Sequence, residues 1–170
     1  MKTTFNSDRL TFTIVDESDL EDIQLVFNSC AFIEKWAGGE VVNAQRLFRG
    51  EIKPENLPIQ NLKIFKISNK DTLIGCLVIF LEYPLSDILY LGGLYILQEK
   101  KCSGYGKETV RTLFANFQGY RFRLIASLKN WKALKFWIDL GFNKVTGYFG
   151  DLEHSENTFA EIELEYINNV

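Results

Sequence analysis

Seven consecutive residues carry the clearest chemistry in this chain: Lys101-Cys102-Ser103-Gly104-Tyr105-Gly106-Lys107. They follow an apolar stretch and open a helical pattern in which Val110, Leu113, Phe114 and Phe117 share one face. At a strand-to-helix junction the first N–H groups of the helix lack intrahelical partners and carry the positive end of its dipole. Glycine at 104 and 106 removes Cβ atoms that would hold a phosphate at a distance. Lys100, Lys101 and Lys107 add positive charge. The chemistry to expect is the cradling of a pyrophosphate. Two nucleotide-binding patterns fail on spacing. A Walker A loop needs four residues between Gly and Gly-Lys, then Ser or Thr, whereas Glu108 follows Lys107 here; a dinucleotide GxGxxG loop needs a third glycine where Thr109 stands. By itself the loop reads equally well as a plain turn with solubilising lysines.

The flanking sequence supplies the elements that would position it. Residues 10–15 read as a first strand, with Phe12 and Ile14 on one face. Ser18-Asp19-Leu20-Glu21 matches a capping box, and Leu20, Ile23, Val26 and Phe27 follow at helical spacing to about Ser29. Residues 32–36 read as a helical turn, Gly38-Gly39 as a break, 41–48 as a short helix, and Pro54 with Pro58 as a loop. Residues 62–67 and 73–82 form a hairpin across Asn69-Lys70-Asp71. After a turn at 84–87, residues 88–96 are the next strand, in which Gly92-Gly93 signals a bulge or a close backbone approach. A strand at 121–126 follows the loop and its helix. Asn130 then opens a helix that Gly141 ends, and strands at 142–148 and 158–166 finish the chain around a polar loop with Asp151, Glu153, His154 and Glu156. This order predicts an α/β chain with one mixed sheet and helices on both faces, in a single domain over residues 1–170.

Composition narrows the function classes. With 170 residues, 46% of them hydrophobic, the chain can bury a sizeable core, and intrinsic disorder is excluded. A net charge of −3 gives no global basic field for nucleic acid, so no nucleic-acid partner is expected. The polar N-terminus has no apolar signal core, and no run is long enough to span a membrane, so a cytoplasmic protein is expected. Cys30, Cys76 and Cys102 have no paired spacing, which argues against a disulfide framework and against a metal site. Cys30 and Cys76 read as small core residues, and Cys102 as a backbone donor in the loop.

A second motif discriminates between the readings of the loop. Lys101-x-x-Gly104-x-Gly106, followed by Asn130-Trp131-Lys132-Ala133, Trp137 and Leu140-Gly141-Phe142, resembles the GNAT superfamily of acetyl-CoA-dependent N-acetyltransferases. The motif match covers residues 88–148, and the order of elements extends it over most of the chain. The resemblance implies a three-layer fold around a central, mostly antiparallel mixed sheet. It implies acetyl-CoA or coenzyme A as cofactor, held by Leu94, Tyr95, Ile96, by Lys101, Cys102, Ser103, Gly104, Tyr105, Gly106 and Lys107, and by Asn130, Ala133 and Trp137. It also implies a primary amine of a small molecule or peptide as acetyl acceptor, and a homodimer is common among such proteins. The runner-up is a CoA-binding regulatory domain without catalysis.

Two positions depart from the family pattern. Lys101 stands where Arg or Gln is usual, which keeps a charge but loses the bidentate fork. Trp137 stands where a tyrosine often protonates the departing thiolate, and indole cannot do so. A thiol of ordinary pKa about 8.5 still leaves moderately well unprotonated. The backbone around Leu94, Tyr95 and Ile96 would offer an oxyanion donor. Where some relatives carry a glutamate base, this chain has Tyr90. Glu82, Asp87, Glu34 and Glu153 are the carboxylate alternatives. Of these, Glu82 and Glu34 join Tyr90 as the catalytic candidates. His154, the single histidine, reads as a solvated loop residue. Residues 30–40 and the loop at 148–157 would line the acceptor site, with Glu34, Trp36 and Tyr148 receiving the amine.

Overall fold

The computed structural model describes residues 3–30, 39–153 and 155–167. It begins with a strand that the sequence pattern did not reveal: β1 (Thr4–Asn6) pairs antiparallel with β2 (Thr11–Ile14). Three residues are too few to display an alternation. What holds β1 is Phe5, stacked on Phe12 with ring centroids 4.6 Å apart.

The capping box expected at Ser18 and Glu21 lies two residues upstream. Asp16 accepts from the Ser18 N–H at 2.8 Å, and Asp19 accepts from the Asp16 N–H at 3.2 Å. A 3-10 turn (Glu17–Asp19) leads into α1 (Leu20–Ser29), so the chain already bends before Ser18 and the shorter aspartates close the box. The next helix, α2 (Ala44–Phe48), begins later than residue 41, because the Asn43 side chain caps it by accepting from the Arg46 N–H. The helical turn expected at 32–36 lies outside the described residues.

β3 (Leu62–Asn69) and β4 (Thr72–Leu81) form the expected hairpin, and β5 (Ile88–Ile96) follows with the bounds read from sequence. Then come α3 (Tyr105–Asn116), β6 (Arg121–Ser127), α4 (Trp131–Asp139), β7 (Phe142–Gly150) and β8 (Ala160–Tyr166). Among the described residues, eight strands form one sheet in the order β1-β2-β3-β4-β5-β6-β8-β7, parallel only between β5 and β6. Val110 and Leu113 of α3 and Trp137 of α4 pack on one face, while Ile23, Val26 and Phe27 of α1 and Leu47 of α2 pack on the other. The mixed, mostly antiparallel sheet with helices on both faces is therefore as expected.

Two features of β5 shape the molecule. Opposite β4, Val78 pairs with Gly93 and Ile79 with Leu91, so Gly92 is the extra residue of a bulge. The bulge reverses which side chains face which layer. Before it, Leu89 and Leu91 face α3 and α4; after it, Leu94 and Ile96 do, while Tyr95 turns to the α1 side. Glycine fits because a Cβ there would lie 2.5 Å from the Phe80 ring. The second feature is that β5 and β6 pair only from Ile88 with Arg121 to Leu91 with Leu124. Beyond that point the two strands part, and β6 continues only against β8.

Candidate functional site

The loop at 101–107 lies at the end of β5 where it parts from β6. A short turn (Gln98–Lys100) precedes it, anchored where the Gln98 N–H donates to Ser29 Oγ at 2.8 Å. Gly104 is the N-cap of α3, with φ +83, and contributes no side-chain cap. By contrast, α2 and α4 are capped by Asn43 and Asn130. The start of α3 thus has no side-chain cap, and the first N–H groups of this 12-residue helix lie at the positive end of its dipole.

Arg9, which sequence reasoning missed, holds the loop in place. Its Nε donates to Glu108 at 2.7 Å, its terminal nitrogens donate to the Ser103 carbonyl at 3.3 Å, and its guanidinium lies 4.7 Å from the centre of the Tyr105 ring. Glu108 also accepts from Ser7 Oγ at 2.6 Å. Burial pushes the Glu108 carboxyl up, but hydrogen bonds from Ser7 and Arg9 outweigh it and leave the carboxyl below its ordinary value. Glu108 therefore stays ionised and paired beside the helix start. No local sequence signal finds Arg9, which is 94 residues from Ser103.

The other residues expected to hold a cofactor differ in their surroundings. Lys101 is half-buried, and loss of solvent lowers its pKa, although the Cys30 and Cys102 thiols act in the opposite sense. Cys102, at φ +60, is exposed, whereas Cys30 and Cys76 are buried. Tyr95 packs edge-on against Phe27 at 4.8 Å, so its side chain belongs to the core. Gly106 has a packing reason as well: a Cβ there would stand 3.3 Å from the Phe136 ring of α4. Trp137 is 9% exposed, edge-on to Phe136 at 4.8 Å and Phe142 at 5.4 Å. Its indole is a core group. A groove of about 490 Å³ runs along α3, lined in part by Arg9, Lys107 and Arg111, and meets the loop at Gly104.

Asn130 accepts from the Ala133 N–H at 3.1 Å, a helix cap. Asn130→Ala is expected to lower unfolding stability by about 1 kcal/mol, read from urea denaturation.

Among the described residues, no hydrogen bond joins the catalytic candidates Tyr90 and Glu82. Glu82 is exposed at the β4–β5 turn, 3.4 Å from Asn61 Nδ2, and Asp87 pairs with Arg121 at 2.8 Å. Both flank the start of β5, whereas β5 and β6 part beyond Leu91. Glu153 is exposed in its loop. Glu34, Trp36 and His154 lie outside the described residues. Tyr90 is on the α1 side, stacked near Phe80 and edge-on to Tyr83 at 5.7 Å. Burial, and next the Glu163 charge and hydrogen bond, push its hydroxyl well above the ordinary tyrosine range. It keeps its proton and donates it in a hydrogen bond to Glu163. Tyr148 pairs with Ile162, whose side chain packs on the α3 and α4 side, and is 72% exposed. The aromatic residue on the α1 side of β7 is Phe149, opposite Glu161.

No known protein-family model matches the sequence, and no curated protein matches it significantly. Solved structures do match in fold. An acetyltransferase from Thermus thermophilus is 20% identical with a TM-score of 0.69, over 92% of this chain and 97% of that one. A GNAT-family acetyltransferase from Bacillus anthracis is 14% identical with a TM-score of 0.70, over 96% and 98%. A ribosomal L7/L12 α-N-protein acetyltransferase in complex with coenzyme A is 16% identical with a TM-score of 0.69, over 95% of each chain. The strand order, the single parallel pair that parts beyond Leu91 and these similar structures show that the chain has the fold of the GNAT-family acetyltransferases.

Proposed function

We propose that this protein is an acetyl-CoA-dependent N-acetyltransferase that modifies the primary amine of a small molecule or peptide. The observation that carries the reading is the glycine-capped start of α3, set where β5 and β6 part. The residues present suit coenzyme A. The N–H groups at the start of α3 and the Lys107 charge suit its pyrophosphate. The strand backbone at Leu94 and Ile96, freed from β6, offers peptide groups to an extended arm. When bound, the coenzyme supplies an acetyl group activated as a thioester. The chain's own part is to fix that group, exclude water and manage the amine protons. The acetyltransferase solved with coenzyme A shares this fold, which supports the reading without specifying the acceptor.

The test is CoA release from acetyl-CoA across a panel of primary amines, with calorimetry of CoA binding alongside. Saturable turnover on at least one amine, with KM between about 1 μM and 1 mM, is expected. CoA binding without turnover on any amine would turn the assignment to a regulatory CoA-binding domain. Absence of CoA binding would overturn both.

A further inference from the structure

Three carboxylates stand at alternate positions of β8, on the sheet face away from α3 and α4: Glu161, Glu163 and Glu165. Two are neutralised. Glu165 receives Arg123 at 2.6 Å, Arg121 at 2.8 Å and Lys144 at 2.9 Å. Glu163 receives Arg123 at 3.3 Å, the Thr146 hydroxyl and the Tyr90 hydroxyl. Glu161 has no ion-pair or hydrogen-bond partner among the described residues, yet it is partly withdrawn from water between Ser127 of β6 and Phe149 of β7, its directly opposed neighbours. That burial pushes its carboxyl above the ordinary glutamate value. A desolvated carboxylate without a partner gains most from a visiting cation.

Its place in the fold matches such a visit. Ser127 lies beyond Leu124, where β6 has already parted from β5, so Glu161 borders the opening. α3 and α4 cover one face of that opening, so an acceptor reaches it from the other. That other side has aromatic surfaces suited to a cation: Phe80, Tyr83 and Tyr90 in mutual contact, and the half-exposed Phe149 ring.

The geometry points to Glu161 as the group that receives the acceptor's ammonium at the opening and takes its proton, an inference that rests on the acetyltransferase reading. One N–H bond of the ammonium breaks, its electron pair stays on nitrogen, and an O–H bond forms on Glu161. The freed pair forms the N–C bond to the acetyl carbon as the C–S bond breaks, with its electrons leaving on sulfur. The second nitrogen proton goes to that sulfur, and Glu161 returns its proton to solvent. Among the described residues, other charged or titratable groups stand on this side. Tyr90 and Tyr83 come from β5 and the turn before it. Arg123 of β6 is held by Glu163 and Glu165. Lys129 donates to the Glu156 carbonyl at 2.6 Å and lies over the Phe159 ring. From β7, Lys144 is held by Glu165 and the Thr146 hydroxyl by Glu163, while Phe149 stands opposite Glu161.

The test uses Glu161→Gln in the full chain. With the best amine of the panel, kcat should fall about 10²–10⁴-fold, while CoA affinity by calorimetry stays unchanged. The rising limb of the wild-type pH–rate profile should lie above the ordinary glutamate range and vanish in the variant, and Glu161→Asp should restore part of it. Thermal stability separates this from a scaffolding role, because removing an unpaired, desolvated charge should leave Tm unchanged or higher. Independently of turnover, the Glu161 side-chain ¹³C carboxyl resonance, assigned by its loss in Glu161→Gln, should titrate above about 4.3. Titration at the ordinary value, or a variant kcat within about threefold of wild type, overturns the inference and leaves the acetyltransferase reading intact. Failure of the wild-type protein to bind CoA overturns that reading instead.

Discussion

Gly104→Val is expected to weaken CoA binding about a hundredfold while the protein still folds. Gly104 has φ +83, a conformation that a β-branched residue adopts only as an outlier, at about 1–2 kcal/mol. Space is not the obstacle, since the nearest atom to a Cβ there would be Arg9 Nη2 at 3.4 Å. The strain instead rotates the peptide units at the start of α3, and those units carry the N–H groups offered to the pyrophosphate. Hydrogen bonds to a charged group contribute about 1.5–3 kcal/mol each, so losing two amounts to about 3 kcal/mol, roughly a hundredfold in Kd. Calorimetry with CoA reads the affinity, and circular dichroism confirms that the helices persist. Unchanged affinity would refute the loop as the phosphate site. Gly106 serves as the internal comparison, because a side chain there first meets the Phe136 ring. Gly106→Val should therefore lower stability as well as affinity.

The second large effect concerns the sheet rather than the loop. Glu165→Ala is expected to lower unfolding stability by about 3 kcal/mol, the low end of the usual range for breaking a buried ion pair. The Glu165 side chain is 5% exposed, and its partner Arg123 is 16% exposed. Removing the carboxylate leaves Arg123 with Glu163 alone, at 3.3 Å. Arg121 and Lys144 are about half exposed, and water compensates them, so their pairs add little. The same cluster sets the acid limit. Burial raises the Glu165 pKa, but hydrogen bonds from Lys144 and Arg123 and the arginine charges outweigh it, so the folded value lies below the ordinary one. A depressed carboxylate contributes its full stability above the unfolded pKa of about 4.3 and loses it as pH falls through the folded value. Urea denaturation between pH 7 and pH 3 should show wild-type stability dropping below about pH 4.3, and Glu165→Gln should flatten that part of the curve. An equal drop in Glu165→Gln would place the acid sensitivity elsewhere.

Much of the architecture could be read from local pattern because it is local in origin. Residues 88–96 form an apolar run between the turn at 84–87 and a polar loop, which gives β5 its bounds, and Asn130 and Gly141 delimit α4 through cap chemistry that acts within a few residues. The errors were also local. The α1 capping box lies at Asp16 because a 3-10 turn precedes the helix, and β1 went unseen because three residues show no period. The surroundings of the catalytic candidates are not local in origin. Tyr90 is a buried phenol against Phe80 and Tyr83, with its hydroxyl pushed well above the ordinary tyrosine range, and Glu82 stands at the turn before β5.

By itself the sequence determined that an apolar strand ends in a glycine loop, that a helix begins there, and that a second helix opened by Asn130 follows at family spacing. These are properties of adjacent residues, set by backbone freedom and by hydrogen bonds over three or four positions. Only the tertiary structure decided what surrounds the opening. Arg9 reaches Glu108 across 99 positions of sequence, and Glu161 reaches the mouth of the cleft only because β8 inserts between β6 and β7. Which side of the sheet each side chain faces depends on strand order and on bulges such as that at Gly92, each of which reverses the alternation beyond it. Pairing between strands distant in sequence is driven by burial and backbone hydrogen bonding that no local window contains.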